Sequence, residues 1–260
     1  MNKIRIFLFL CCSFQLFVVF GQEEDDDSNE KKDKFPSYFG FQVRPLLPTQ
    51  FIGNPITTIQ QPVFSTSLSQ TYGYSIGGIV RAGFTKRLAV ETGIHYNIRK
   101  FDVDMSIPDS ALYAKNDLTF ITFEIPINLL VYIQMSKKVY ASTALGVAMT
   151  FKPTDVGILT LPGGSNTFTH TGFAQRKFVL DFDAHFGVEY RTEKKGFFYL
   201  GGAAKIPFSP LFDLIATYKY QGNKTTYYGV VDGSFLAIEL KYFFHNTRNK
   251  GEQFKPGPIE

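Results

Sequence analysis

The stretch "LTFITFEIPINLLVYIQ", Leu118 to Gln134, is long and apolar enough to suggest a membrane helix, yet Glu124, Pro126, Asn128 and Gln134 lie inside it. Read every second residue, it separates into two rows. Ile121, Phe123, Ile125, Ile127, Leu129, Val131 and Ile133 fall on one side, and Thr122, Glu124, Pro126, Asn128 and Gln134 on the other. A period of two belongs to a strand, whose successive side chains point to opposite faces. A strand this long with one almost purely apolar face predicts a bilayer crossing, which needs ~9–11 tilted residues.

The same division recurs along the chain. "FVLDFDAHFGVEYR", Phe178 to Arg191, sets Phe178, Leu180, Phe182, Ala184, Phe186, Val188 and Tyr190 against Asp181, Asp183, His185, Glu189 and Arg191. "LAVETGIHYNIR", from Leu88, and "FLAIELKYFF", from Phe235, behave alike. Weaker segments begin at Tyr38, Tyr72, Val139 and Gly196, which brings the predicted strands to eight. An even number suits an antiparallel up-and-down transmembrane β-barrel.

The connections alternate in length. Short turns are predicted around Lys86, before Lys138 and before Lys195. Long loops are predicted at about 47–71, 106–117, 152–177 and 209–232. Short turns on one rim and four long extracellular loops on the other are the layout of an outer-membrane barrel. A closed barrel also leaves no backbone group unpaired in hydrocarbon. Tyr38, Tyr72, Tyr190 and Phe244 are expected in its interfacial girdles. Two features resist the pattern. Pro126 removes a ladder donor in mid-strand, and the phase after Arg99 slips to Phe101, Val103 and Met105, which reads as a bulge.

Residues 1–21 carry Lys3 and Arg5, an apolar run and a small-residue site, and read as a signal peptide cleaved between Gly21 and Gln22. Its loss removes both cysteines, Cys11 and Cys12, and lowers the net charge from +4 to +2. So slight a surplus gives no reason to expect a nucleic-acid partner. Residues 22–36 form an acidic leader expected to be disordered, residues 37–245 the barrel, and residues 246–260 a periplasmic tail.

By alternation, the inward polar set is Arg44, Arg81, Glu91, His95, Arg99, Glu124, Asp181, Asp183, His185, Glu189, Arg191, Lys205, Glu239 and Lys241. Its charges balance, and buried ions must be paired, so the set is expected to plug the lumen. His95 and His185 with the nearby carboxylates could in principle ligate a metal, but a hydrogen-bonded plug is the preferred reading, with no metal and no cofactor. His170 with Ser165, Thr169 and Thr171 in "LPGGSNTFTHTGF" is the only rim group worth weighing for catalysis, and it lacks a nucleophile–base–acid trio. A surface loop is preferred there, and no enzyme is expected. The long loops, rich in Thr, Gln, Asn, Pro and aromatics, could grip a protein partner or close over the mouth.

"FITFEIPINLLVYIQMSKKVYASTALGVAMTF" resembles the small outer-membrane β-barrel proteins of Bacteroidota, the group that includes PorT-like proteins. The resemblance rests on Glu124, Ile125, Pro126, Leu129, Leu130, Lys137, Lys138 and Gly146, and covers about 38–244. It implies an integral protein of the cell outer membrane, and for its PorT-like members a part in type IX secretion or surface assembly. In that group Asp109, Ser110 and Ala111 are similar to an O-glycosylation acceptor, with Ser110 as the modified residue. The expected function is structural or protein-interacting, with outer-membrane lipid as the first partner. A secretion-machine component, holding protein partners by its long loops or its lipid-facing wall, is the alternative, and a small-solute conduit or rim enzyme the third reading.

Overall fold

A computed structural model describes residues 37–245 except 86, 111, 193 and 194. The expected signal peptide with its Gly21–Gln22 cleavage site, the acidic leader and the C-terminal tail lie outside the described residues. The strands are β1 (Ser37–Leu47), β2 (Ile56–Gln60), β3 (Ser65–Gln70), β4 (Gly73–Gly83), β5 (Leu88–Ile107), β6 (Leu112–Gln134) and β7 (Val139–Phe151). They continue with β8 (Val156–Gly163), β9 (Asn166–Phe173), β10 (Phe178–Arg191), β11 (Phe197–Pro207), β12 (Phe212–Tyr220), β13 (Asn223–Val231) and β14 (Phe235–Phe243). Among the described residues no helix is long and apolar enough to cross a membrane.

Eight strands form a closed antiparallel ring in the order β1, β4, β5, β6, β7, β10, β11 and β14, with β14 returning to β1. They are the eight segments whose alternation is legible in the sequence. Closure leaves no free edge, so the backbone groups in this tier find partners within it. Side chains keep the parity expected of them. Ile125, Ile127, Leu129, Phe186, Leu200 and Leu240 project outward and exposed, while Glu124, Asn128, Glu189 and Glu239 are buried inside.

Pro126 is accommodated without a bulge. It pairs with Ala148 on β7, and the ladder to β5 passes from Thr92↔Ile127 to His95↔Glu124 with no change of register. The interruption therefore lies on the β5 side alone, opposite Gly93 and Ile94.

The bulge expected after Arg99 is also absent. Pairing runs unshifted from Ile98↔Ile121 to Ile107↔Leu112, and Arg99, Phe101, Val103, Met105 and Ile107 are all buried on the inner side. The strand keeps its phase while its surroundings change. Below this level the β5–β6 hairpin is apolar outside and polar inside, and above it the hairpin is polar outside and apolar inside.

That reversal marks a second tier built from segments expected to be loops. β2 and β3 extend the edge of β5, while β8, β9, β12 and β13 form a separate four-stranded sheet. Side chains join the two sheets along their seams: Asn116 Nδ2 donates to Thr160 Oγ1 at 2.9 Å, and Thr57 Oγ1 donates to the Val230 carbonyl at 3.0 Å. Between them lies an apolar core that includes Phe64, Leu68, Phe101, Val103, Met105, Phe120, Phe168, Phe212 and Leu214. Full burial of such side chains contributes about 1.5–3 kcal/mol each relative to exposure, enough to order connections that composition alone marks as loops. This tier is called the cap below.

At the short-turn rim the outer wall carries an aromatic band. Phe39 stacks on Phe244 at 5.9 Å, and Phe41 and Phe198 flank Tyr242 at 5.6 and 4.9 Å. Such bands sit at membrane interfaces. Tyr38 is not part of it. It belongs to the inner row and meets Phe197 edge-on at 4.9 Å, because the strand begins one residue out of the phase expected for a girdle tyrosine.

Candidate functional site

Inside the ring, residues two apart on a strand share a face, and opposite registers bring complementary charges together. Arg81 stands directly across from Glu91, His95 across from Glu124, and Asp183 across from Lys205. Each of the fourteen inward polar residues read from the sequence lies on the inner side. All are buried except Arg191 at the short-turn rim, whose side chain keeps 20% exposure.

From that rim, the Arg191 guanidinium lies 4.0 Å from the Tyr140 ring centroid and donates to Glu189 at 2.8 Å. Glu189 also accepts from Arg81, which donates twice to Glu91 at 2.6 and 2.9 Å and rests 4.2 Å from the Phe243 ring. Lys241 Nζ then joins Glu91 at 2.6 Å to Glu239 at 3.4 Å.

At mid-height, His185 places Nδ1 2.8 Å from Glu239 and Nε2 3.1 Å from Asp183. Arg44 reaches Glu124 at 3.2 Å, Glu239 at 3.7 Å, Ser75 at 3.2 Å and His95 Nδ1 at 3.1 Å. An arginine can only donate, so His95 Nδ1 is an acceptor and carries no proton. Lys205 Nζ sits 2.5 Å from Glu124 and 3.7 Å from Asp181, which also accepts from Thr150. Arg99 closes the series, donating to the Gly233 carbonyl at 2.5 Å and lying 4.6 Å from the Phe235 ring. Above Arg99 begins the apolar core of the cap.

The ion pairs therefore run as one linked chain through the ring. The six cations Arg44, Arg81, Arg99, Arg191, Lys205 and Lys241 offset the six carboxylates Glu91, Glu124, Asp181, Asp183, Glu189 and Glu239. Pairing matters because one uncompensated buried charge costs several kcal/mol. Small residues make the room. A Cβ on Gly146 would be driven into the Ile127 carbonyl and the Asn128 side chain. Among the described residues no three His, Cys, Asp or Glu side chains converge in a metal-binding arrangement.

Several participants escape a search for charges alone. Gln42, Ser75, Asn97, Thr122, Asn128 and Thr150 are buried in the same interior. Alternation places Gln42 beside Arg44, and by the same parity puts Phe235 and Phe243 in the row of Lys241, and Tyr199, whose ring centroid lies 4.9 Å from Lys241 Nζ, in the row of Lys205. Lys152, which donates to the Pro210 carbonyl at 2.9 Å at the base of the cap, lies in a segment read as a loop.

His170, weighed above for a rim role, is not on a surface loop. It lies in β9, fully buried in the cap, with Nε2 2.9 Å from Thr66 Oγ1. Burial pushes its pKa down to about 4. Among the described residues no carboxylate is bonded to it to complete a trio with the Thr66 hydroxyl. Ser110 ends a 3-10 turn, Pro108–Ser110, between β5 and β6 at the far tip of the cap hairpin.

A closed ring with an apolar outer wall and an ion-paired interior defines an integral membrane β-barrel. The chain matches the outer membrane protein β-barrel domain family over residues 35–213 and belongs to it. Its place is accordingly the outer membrane. Among solved structures it is similar to the outer membrane protein OprG from Pseudomonas aeruginosa, at 14% identity and a TM-score of 0.48, covering 81% of this chain and 96% of that one. It is also similar to the outer membrane protein AlkL in lipid bilayers, at 13% identity and a TM-score of 0.35, covering 87% of this chain and 98% of that one. No curated protein matches the chain.

Proposed function

We propose that this protein is a non-conducting outer-membrane barrel: its lumen is a salt-bridged plug, and its cap is a folded platform offered to protein partners at the cell surface. The observation that carries this reading is the linked series of ion pairs from Arg191 to Asp181 with an apolar core stacked above it. An eight-stranded barrel is just wide enough for side chains to fill, and an ion entering this one would have to displace partners already held at 2.5–3.7 Å. Residues 1–21 serve as the export signal, cleaved between Gly21 and Gln22, and lipid covers the outward wall.

Purified protein in planar bilayers tests the reading. No steady current is expected, and a steady open current would overturn the plug in favour of a small-solute conduit. A component role in secretion or surface assembly, as in PorT-like proteins, is the alternative. Stoichiometric recovery of secretion proteins with the detergent-extracted barrel would favour it.

A further inference from the structure

We infer that the barrel sits tilted in the membrane, with the outer face of β12 and β13 lowered into the lipid leaflet at the cap end and the β5–β6 side raised out of it. The inference goes beyond the plugged-lumen reading and does not depend on it. It rests on a difference between two opposite sides of the cap.

On the β5–β6 side the apolar wall stops abruptly. The last outward apolar residues are Ile98 and Ile121. Lys100 and Thr119, Asp102 and Asp117, then Asp104 and Lys115 follow as registered pairs. Asp104 accepts from the Tyr113 hydroxyl at 2.6 Å and pairs with Lys115 at 3.0 Å, so this face carries a committed charged surface from its first rung.

On the other side the wall does not stop. From Leu200 and Ile206 on β11 it passes through Phe208 and Pro210 to Val230, Ile215 and Tyr228, with Ile56 of β2 alongside. Phe208 is 66% exposed, Val230 58% and Tyr228 74%. Asp213, in this strip, is turned to Gln175, and the first exposed charges higher up are Lys219 and Lys224. Arg176 and the paired Asp155 and Lys177 mark the flank of the strip. At ~3.4 Å rise per residue, the outward pair Tyr228 and Val230 alone adds about 7 Å of apolar height.

A bilayer accommodates unequal apolar heights by tilting its guest, because charged groups are driven out of hydrocarbon and apolar ones into it. Lipid is the occupant because the strip is continuous with the wall that already faces acyl chains. A terminal Tyr, apolar in body and polar at its tip, suits the interfacial level at which the strip ends.

The chain contains no Trp, so single Trp substitutions in the full-length protein give an unmixed signal. Leu200→Trp on the wall, Tyr228→Trp on the strip and Tyr113→Trp on the raised side would each be reconstituted in phosphatidylcholine vesicles brominated on the upper acyl chain. Blue-shifted, bromine-quenched emission is expected for Leu200→Trp and Tyr228→Trp, and red, unquenched emission for Tyr113→Trp. Matching behaviour of Tyr228→Trp and Tyr113→Trp, whether both quenched or both unquenched, would overturn the tilt while Leu200→Trp remains quenched. Loss of quenching at Leu200→Trp would overturn the lipid-facing wall itself, and the tilt with it.

Discussion

Removing the Glu124 carboxylate is the sharpest test of how the interior is held together. Glu124 is fully buried and holds two cations, Arg44 at 3.2 Å and Lys205 at 2.5 Å. After Glu124→Ala, Arg44 retains Glu239 at 3.7 Å with Ser75 and His95, whereas Lys205 retains only Asp181 at 3.7 Å. Stripping one partner from a buried pair costs about 3–5 kcal/mol, most of it the stranded charge. The double variant Glu124→Leu/Lys205→Met removes that charge and is expected to cost less than the Glu124→Ala change alone. Urea unfolding in vesicles, read by the mobility difference between folded and unfolded barrel, gives both midpoints. A Glu124→Ala barrel as stable as the parent, or a double variant that loses as much as Glu124→Ala or more, would refute the argument.

Three further outcomes follow from the cap and the ring. His170 has a folded pKa of about 4 against about 6.5 for the solvent-exposed imidazole of the unfolded chain, so the unfolded cap binds the extra proton. Its contribution is complete above about pH 6.5 and declines as pH falls toward 4, by roughly 3 kcal/mol. Limited proteolysis of the cap should accelerate over that window, and His170→Phe should flatten the dependence. Gly146→Val should disrupt the β6–β7 pairing, since even a Cβ there strikes the Ile127 carbonyl. Overpacking of this kind costs about 1–3 kcal/mol or more, and the variant should fail to reach the folded electrophoretic form. Lys115→Ala, by contrast, removes exposed contacts with Asp104 and the Tyr113 ring and should leave the unfolding midpoint at the parent's value.

The ring was legible because bilayer crossing imposes a period of two on every strand, and the lumen charges follow from the same parity. Arg44, Glu189 and Lys241 could be placed inside by counting residues. The cap was not legible for the same reason. Phe101, Val103 and Met105 continue the inner row without interruption, but the row changes from polar to apolar where the surroundings change, and alternation alone mistakes that for a slip. β8, β9, β12 and β13 are short, rich in Thr and Gly, and find their apolar partners far away in sequence, as with Phe64 against Phe168 and Tyr227. Pairing at that distance leaves no local trace. At Pro126 the sequence leaves open a bulge or bonding on one side alone; a strand in a closed ring has two neighbours, and the donor lost toward β5 changes the register with neither.

The hairpin of β5 and β6 belongs to both tiers, its lower half in the ring and its upper half in one wall of the cap. The cap is therefore not a detachable ornament that could be grafted onto another scaffold or shaved off this one. Cutting the hairpin short would strip Phe101 and Phe120 from Phe212, while replacing the other cap strands would expose Phe101 and Phe120 to water. Evolutionary or engineered change on the outer surface is thus channelled toward the outward positions of the strands and the tips of their turns, with little freedom in their lengths.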